Sequence, residues 1–431
     1  MNMHFMRGPV CARLLSILVP LSAIGTIGTA AAQDGRAPTP PSPALLDLVR
    51  ETLDENPGAR AARAAVNAAE ARVRGADRPL YNPQLEVSAE QRETRNGTLG
   101  LSLAIDWADK RGARTNVAGG RLDAARAEYA AVRRRLGGEL LAALGRYHTS
   151  QSLNRLARQR AELLQRFLDV AGKRRRAGDL NRIDFDLARL ARTRAALQLS
   201  RSASNLAAAG QALAAVVGKP RRNWPALPTD LPKLQAVDAQ SILANLPELR
   251  AAQARVRAAR ASVALRIRER RPDPTVGLYA GQERAFRNGN HNTYGAIGLT
   301  FSIPLYVRND FRAEVEAADA GLTQAEQSLR DRYRRARARL LSAVDRYRLS
   351  RSAWGAWLRT GRSSLAGQVS LLERIWQAGE MGTTDYLVRL NQTLDTRADA
   401  LKVRGRLWTA WADWLVAGGR MNAWIGQARR R

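Results

Sequence analysis

The sequence predicts a mainly α-helical protein with a small β part, built from two tandem copies of one unit. Three observations predict it. Ala177-Gly178-Asp179, followed by Asp184-Phe185, returns about 200 residues later as Ala378-Gly379-Glu380, followed by Asp385-Tyr386. Apolar residues recur at threes and fours over very long stretches of each copy, and only two short segments per copy alternate at period two. Proline is scarce outside Arg36 to Pro43, Gly218 to Pro247 and the ends of those segments, while alanine and arginine dominate. Near the same offset Leu101, Leu103 and Ile105 fall on Leu299, Phe301 and Ile303, and Gly218 falls on Gly419; slightly shorter, it places Asn56-Pro57 on Leu246-Pro247. Such self-similarity means an architecture made by duplication, whose halves do related jobs.

At the N-terminus, Arg7 and Arg13 precede an apolar run from Leu14 to about Ile27, and Thr29-Ala30-Ala31-Ala32 supplies small residues before Gln33. This reads as a signal peptide over 1–32, followed by a linker over 33–43; an uncleaved membrane anchor is the alternative. The mature chain is then exported. Its sole cysteine, Cys11, lies inside the signal and not at its end, so mature protein forgoes disulfides and cysteine chemistry, and no lipid-bearing first cysteine is in place. No later segment offers the roughly 18 uninterrupted apolar residues of a spanning helix. If the chain crosses a membrane, it does so as strands.

The first repeat is expected over 44–218. Leu45, Leu48, Leu53, Ala61, Ala65, Ala68 and Val73 mark a helix interrupted early by Asn56-Pro57, and Pro79 and Pro83 close it. A β-hairpin follows over 83–106: Leu85, Val87 and Ala89 alternate with polar residues, Asn96-Gly97 suits the turn, and Leu99, Leu101, Leu103 and Ile105 alternate again. One face of this ribbon is apolar. A long helix then runs over 110–177, about 100 Å at 1.5 Å per residue, too long for a compact globule. Lys173 to Arg176 suit its C-terminal dipole, Gly178 is the expected left-handed cap, and Asn181 caps a returning helix over 181–217 with Asp184 in its first turn.

After a proline-rich linker over 219–240, the second repeat covers 241–418. It repeats the steps: a helix from Leu243 to Arg271, a β-hairpin over 274–304 whose polar stretch Arg287 to Asn292 serves as the loop, a long helix over 310–378, a glycine turn from Gly379 to Gly382, and a helix over 383–418. Trp408, Trp411 and Trp414 lie on one face of that last helix and read as core against the linker. Residues 419–431 are expected as a basic tail.

Four strands per chain cannot span a bilayer alone, because both outer edges would leave backbone groups unsatisfied in lipid. Three chains give twelve strands, an even count within the range of outer-membrane barrels. A soluble sheet packed on a helix is the bland alternative.

Signal peptide, duplicated order of elements, and the turns Ala177-Gly178-Asp179-Leu180-Asn181-Arg182-Ile183-Asp184 and Ala378-Gly379-Glu380-Met381-Gly382-Thr383-Thr384-Asp385 together resemble the TolC-like outer-membrane efflux family. The Asn56-Pro57 element and the compact middle are closest to its CzcC-like, cation-efflux branch. The resemblance implies a homotrimer in the outer membrane, with a twelve-stranded transmembrane β-barrel against lipid and a periplasmic α-helical tunnel. It implies the exit duct of a tripartite exporter, reached through a periplasmic adaptor (membrane fusion protein) from an inner-membrane pump of the RND type. Adaptor-docking tips fall by position on Gly178, Asp179, Leu180 and Asn181, and on Gly379, Glu380, Met381 and Gly382. The tunnel constriction falls on Asp184 and Asp385; a third acidic position of that pattern is Val388 here. Each aspartate equally suits a helix first turn on structural grounds alone. Cargo tilts toward metal cations or drugs, with a type I protein secretion duct as another reading.

Net charge is +31, of which two leave with the signal peptide. Arginines spread along every helix read as solvated faces and cross-helix pairs; nucleic acid is not expected as a partner, since basic residues are not clustered and export removes the chain from the cytosol. Some arginines lining a tunnel would favour anions. An exported coiled-coil scaffold binding anionic polymer is the rival class. His148 and His291 have no repeated partners, and no phosphate loop, nucleophile elbow or carboxylate pair is present. No enzyme activity, metal site or cofactor is expected.

Overall fold

The computed structural model describes residues 42–427 apart from 92–93, 235–236, 288–289, 362–364 and 366. The expected signal peptide, Cys11, the linker to residue 41 and the last four residues of the tail lie outside the described residues.

Helix α1 (Pro43–Glu55) starts on Ser42, whose hydroxyl accepts from the Leu45 amide at 3.3 Å, and Pro43 takes a first-turn position that needs no amide donor. It buries Leu45, Leu46, Leu48, Val49 and Leu53. Asn56 ends α1 and caps α2 (Pro57–Ala76) through its side-chain oxygen, 2.8 Å from the Gly58 amide. The second repeat has the same break: α5 (Ala239–Asn245) stops at Leu246 and α6 (Pro247–Glu269) restarts on Pro247, here without a side-chain cap.

Strands β1 (Gln84–Gln91), β2 (Thr94–Ala104), β3 (Thr275–Arg287) and β4 (Asn290–Ser302) form one antiparallel sheet in chain order. The two hairpins therefore pair through β2 and β3, which belong to different repeats. Asn96-Gly97, expected as the first turn, instead lies within β2, paired with Glu90 and Ala89. Register explains the difference: Leu85 faces Leu101 and Val87 faces Leu99. A two-residue turn at 96–97 would pair odd-numbered positions with even ones and split the apolar set between faces. In the second hairpin Arg287 pairs with Asn290, so most of the polar stretch expected as a loop is strand. Backbone ladder bonds form there without regard to side-chain polarity.

Helix α3 (Lys110–Ala177) is unbroken, and α4 (Arg182–Val217) returns along it. The helix expected over 310–378 is not continuous. α7 (Arg312–Ala356) passes into a π turn at Trp357–Gly361, and α8 (Gln368–Gln377) starts beyond Gly367, whose φ is 78°. A Cβ at Gly361 would overlap the Trp357 ring, and Gly367 takes a left-handed conformation that L side chains avoid. The matching stretch of α3, residues 146–171, has no glycine and stays helical. α9 (Thr383–Ala417) completes the second hairpin.

The chain end is also more ordered than a basic tail. Met421, Trp424 and Ile425 share one face of α10 (Met421–Gln427); Met421 is fully buried, and Trp424 meets Trp411 edge-on at 5.5 Å. Spacing at i, i+3 and i+4 supplies the apolar stripe that the charge of this segment conceals.

The core lies where the linker crosses the bundle. Leu140, Leu141 and Leu144 of α3, Leu213 of α4, Leu340 and Tyr347 of α7, and Trp408, Trp411 and Trp414 of α9 pack with Leu227 and Leu231 of the linker. His148 of α3 bonds the Pro225 carbonyl at 2.8 Å, and the Tyr347 hydroxyl donates to the Pro232 carbonyl at 2.6 Å. These side chains satisfy linker backbone that crosses an apolar surface. Between this belt and the sheet the seams are alanine-rich and laced with cross-helix pairs such as Arg126–Glu70, Arg133–Asp54 and Arg257–Asp123. Exposed pairs like these stabilise little individually.

Candidate functional site

Both glycine turns close by the same backbone motif. After α3, the Asp179 amide donates to the Arg174 carbonyl at 2.9 Å and the Gly178 amide to the Arg175 carbonyl at 3.2 Å. After α8, the Glu380 amide donates to the Ile375 carbonyl at 3.2 Å and the Gly379 amide to the Trp376 carbonyl at 3.1 Å. Paired bonds of this kind satisfy the last carbonyls of a helix and require a left-handed residue, here Gly178 at φ 87° and Gly379 at φ 81°. Duplication thus preserves a local geometry, not only a sequence.

The turns differ on leaving. Asn181 caps α4, its oxygen accepting from the Asp184 amide at 2.8 Å while its amide donates to the Asp184 carboxylate at 2.9 Å. Asp184 is half-buried and held. Gly382 caps α9 without a side chain, and Asp385 is exposed, with no hydrogen bond or ion pair among the described residues. Of the eight expected tip residues, Gly178, Asp179, Asn181, Gly379, Glu380 and Gly382 are exposed. Leu180 and Met381 are half-buried against the apolar cluster behind the tips, so they anchor the turns.

That cluster brings the two tips together. Phe167 lies 4.4 Å from Trp376 and stacks on Tyr386 at 4.8 Å, centroid to centroid. Arg174 and Arg175 cover Trp376 and Phe185, each at 4.8 Å. Burial first, with Glu373 adding to it and Arg166 opposing, pushes the Tyr386 hydroxyl up to about 12. Further along, buried Arg160 of α3 donates to Asp395 at 2.8 Å and also to Asn391, both on α9. Arg160 and Trp376 carry no sequence signal, and Phe167 is legible only as one apolar position in the stripe of the long helix. Tyr386 was visible only as the repeat partner of Phe185, and no local pattern marks a seam residue whose partner is more than 200 positions away.

The opposite end carries the sheet. Val87, Ile297 and Leu299 are 73%, 83% and 79% exposed, so none of the described residues covers this apolar face. On the other face, Ser102 donates to Glu86 at 2.7 Å and Ser88 bonds Thr98 at 2.6 Å. At the junction with the helices, Asp273 accepts from the Tyr81 hydroxyl at 2.6 Å and from the Lys110 ammonium at 2.9 Å. Lys110 and Asp273 are both buried, and burial followed by Asp273 raises the Tyr81 hydroxyl above its ordinary value. Among the described residues no helix is long and apolar enough to cross a membrane, and no three His, Cys, Asp or Glu could hold a metal ion together.

Comparison with known proteins matches this architecture. The outer membrane efflux protein family model matches residues 48–219 and 239–417. The cobalt-zinc-cadmium resistance protein CzcC of Cupriavidus metallidurans is 28% identical over 238 residues, 54% of this chain and 56% of CzcC; the chain thus matches little more than half of that relative. A membrane protein from Pseudomonas aeruginosa superposes with TM-score 0.74 at 19% identity, covering 88% of this chain and 94% of that one. The CmeC outer membrane channel of Campylobacter jejuni gives 0.72 at 14% identity, covering 94% of each. The chain belongs to the outer membrane efflux protein family.

Proposed function

We propose that three copies of this chain close a twelve-stranded barrel and a helical tunnel, forming the exit duct of a tripartite efflux system. One observation carries the reading: an open four-stranded sheet with a continuous, uncovered apolar face and two outer edges, β1 and β4, that find no strand among the described residues. Four strands at about 4.8 Å spacing make a ribbon roughly 20 Å wide, too narrow to curl on itself. Lipid requires closure, and edge-to-edge repetition supplies it.

The exposed tip residues Gly178, Asp179, Asn181, Gly379, Glu380 and Gly382 dock the periplasmic adaptor, with Leu180 and Met381 holding the turns in place. Asp184 and Asp385 ring the constriction behind them. An inner-membrane pump of the RND type feeds the duct. Likeness to CzcC, a cobalt-zinc-cadmium resistance protein, supports metal cations as cargo. Light scattering on protein extracted from the envelope in mild detergent tests the assembly: a heat-labile trimer from the outer membrane supports it, and a monomer in the soluble periplasm overturns it.

A further inference from the structure

We propose that a pocket between α6 and α7 binds a small soluble anion through Arg255 and Arg332. The pocket, about 270 Å³, is large enough for a phosphate or a carboxylate group and smaller than the cavities that take drug-sized ligands. Its α7 wall is one helical stripe, Gln324, Ser328 and Arg332, set at spacings of four. Gly321 and Ala325 form the floor, and a Cβ at Gly321 would meet open space. Arg255 closes the α6 side.

The lining chemistry selects charge. All four polar groups on the wall can donate, and none is a carboxylate. Among the described residues Gln324, Ser328 and Arg332 have no hydrogen bond or ion pair, and both arginines are exposed to a ligand arriving from solvent. Arg255 pairs with Glu128 of α3, so the group of three charges keeps one net positive. Burial and the Arg332 charge both hold the Arg255 guanidinium below the ordinary arginine value, as expected for two cations facing one cleft. A bound anion relieves that repulsion and gives the free donors partners.

Arg332 also belongs to the densest basic stretch of the chain: six arginines lie between 330 and 339, with Asp331 the one acid among them. Their field concentrates anions at the pocket. A lipid phosphate is not the source. Arg332 stands twenty positions into α7 from Arg312, about 30 Å along the axis, whereas a headgroup layer is roughly 5–8 Å deep. The pocket therefore samples solutes beside or inside the helical tunnel, and its occupant is a phosphate- or carboxylate-bearing solute.

Calorimetric titration of the full chain in detergent with inorganic phosphate, and separately with citrate, at fixed ionic strength tests this. One saturable site per chain is expected, with phosphate or citrate filling it. Arg332→Gln, which breaks no ion pair, should weaken binding about tenfold, and Ala325→Leu, which fills the floor, should abolish it. Arg337→Gln, an equally exposed arginine outside the pocket, should leave it within twofold. A non-saturable signal, equal weakening by Arg337→Gln, or full binding by folded Ala325→Leu overturns the proposal. Should Arg332→Gln not fold, Ala325→Leu decides alone. Neither readout depends on trimerisation or on transport.

Discussion

Arg174, in the last turn of α3, donates from its guanidinium to the main-chain carbonyl of Gln377 in the last turn of α8, at 2.7 Å, and lies 4.8 Å from the centroid of the Trp376 ring. One side chain of the first hairpin thus satisfies a helix-end carbonyl of the second and covers its buried tryptophan. A cation over an aromatic face at a partly exposed site contributes about 0.5–1 kcal/mol, and a hydrogen bond from a charged donor adds about as much.

Arg174→Ala is expected to loosen the second tip without unfolding the bundle. Roughly 1–2 kcal/mol of local stability corresponds to about five- to thirtyfold faster hydrogen exchange at the Gly379 and Glu380 amides. Exchange at the Leu140 and Leu144 amides, in the central belt, should not change. Equal rates at the tip in both proteins would show that the aromatic cluster alone holds the hairpins together.

The Tyr81–Asp273–Lys110 cluster predicts a different pattern. Removing one partner of a buried ion pair strands the other, at about 3–5 kcal/mol, while replacing both by apolar groups costs far less. Lys110→Met should therefore lower the unfolding midpoint of the detergent-solubilised protein more than the Lys110→Met, Asp273→Leu double variant does. An additive double variant would show that the two side chains do not act as a pair. Tyr81 then keeps no acceptor in the double variant, so a small residual loss is expected there.

Element types were legible because the period switches cleanly from threes and fours to twos at Pro83 and Pro274, and back again after each hairpin. Duplication doubled each such signal. What stayed hidden depends on geometry between distant segments. Asn96-Gly97 is a strong local turn signal, yet the apolar registry of Leu85 with Leu101 overrode it. The break in the second long helix follows from Gly361 and Gly367, which a count of apolar periods passes over. Arg160 and Asp273 look like solvated charges in the sequence, because nothing near them announces partners 235 and 163 positions away. The tips were placed by the glycines; that Leu180 and Met381 are anchors rather than exposed contacts needed the packing of the cluster behind them.

Tyr386 makes the tip cluster sensitive to alkali. Its hydroxyl is raised from the ordinary value near 10 to about 12 by burial, so its neutral form is favoured in the folded protein. The stability this contributes is full below pH 10 and declines as pH rises from 10 toward 12, because the unfolded chain releases the proton first. Tyr386→Phe keeps the ring stacked on Phe167 and removes the titration. Between pH 10 and 12 the midpoint of wild type should fall more steeply than that of the variant, with parallel curves below pH 9. Parallel curves throughout would mean that the hydroxyl reaches water.

Sheet polarity distinguishes the two faces most sharply. Ile297 faces Ala280, which faces Leu99, all on the uncovered apolar side, whereas Ala296 is one residue along on the opposite side. In a lipid-facing position an arginine near the bilayer midplane costs about 2–4 kcal/mol, and three copies in a closed barrel multiply that by three. On a wet inner face the same side chain keeps its hydration. Ile297→Arg should abolish the heat-labile oligomer in outer-membrane extracts, while Ala296→Arg should assemble normally. If Ala296→Arg fails and Ile297→Arg assembles, the sheet faces the other way. If both assemble equally well, the apolar face does not meet lipid and the barrel must be abandoned.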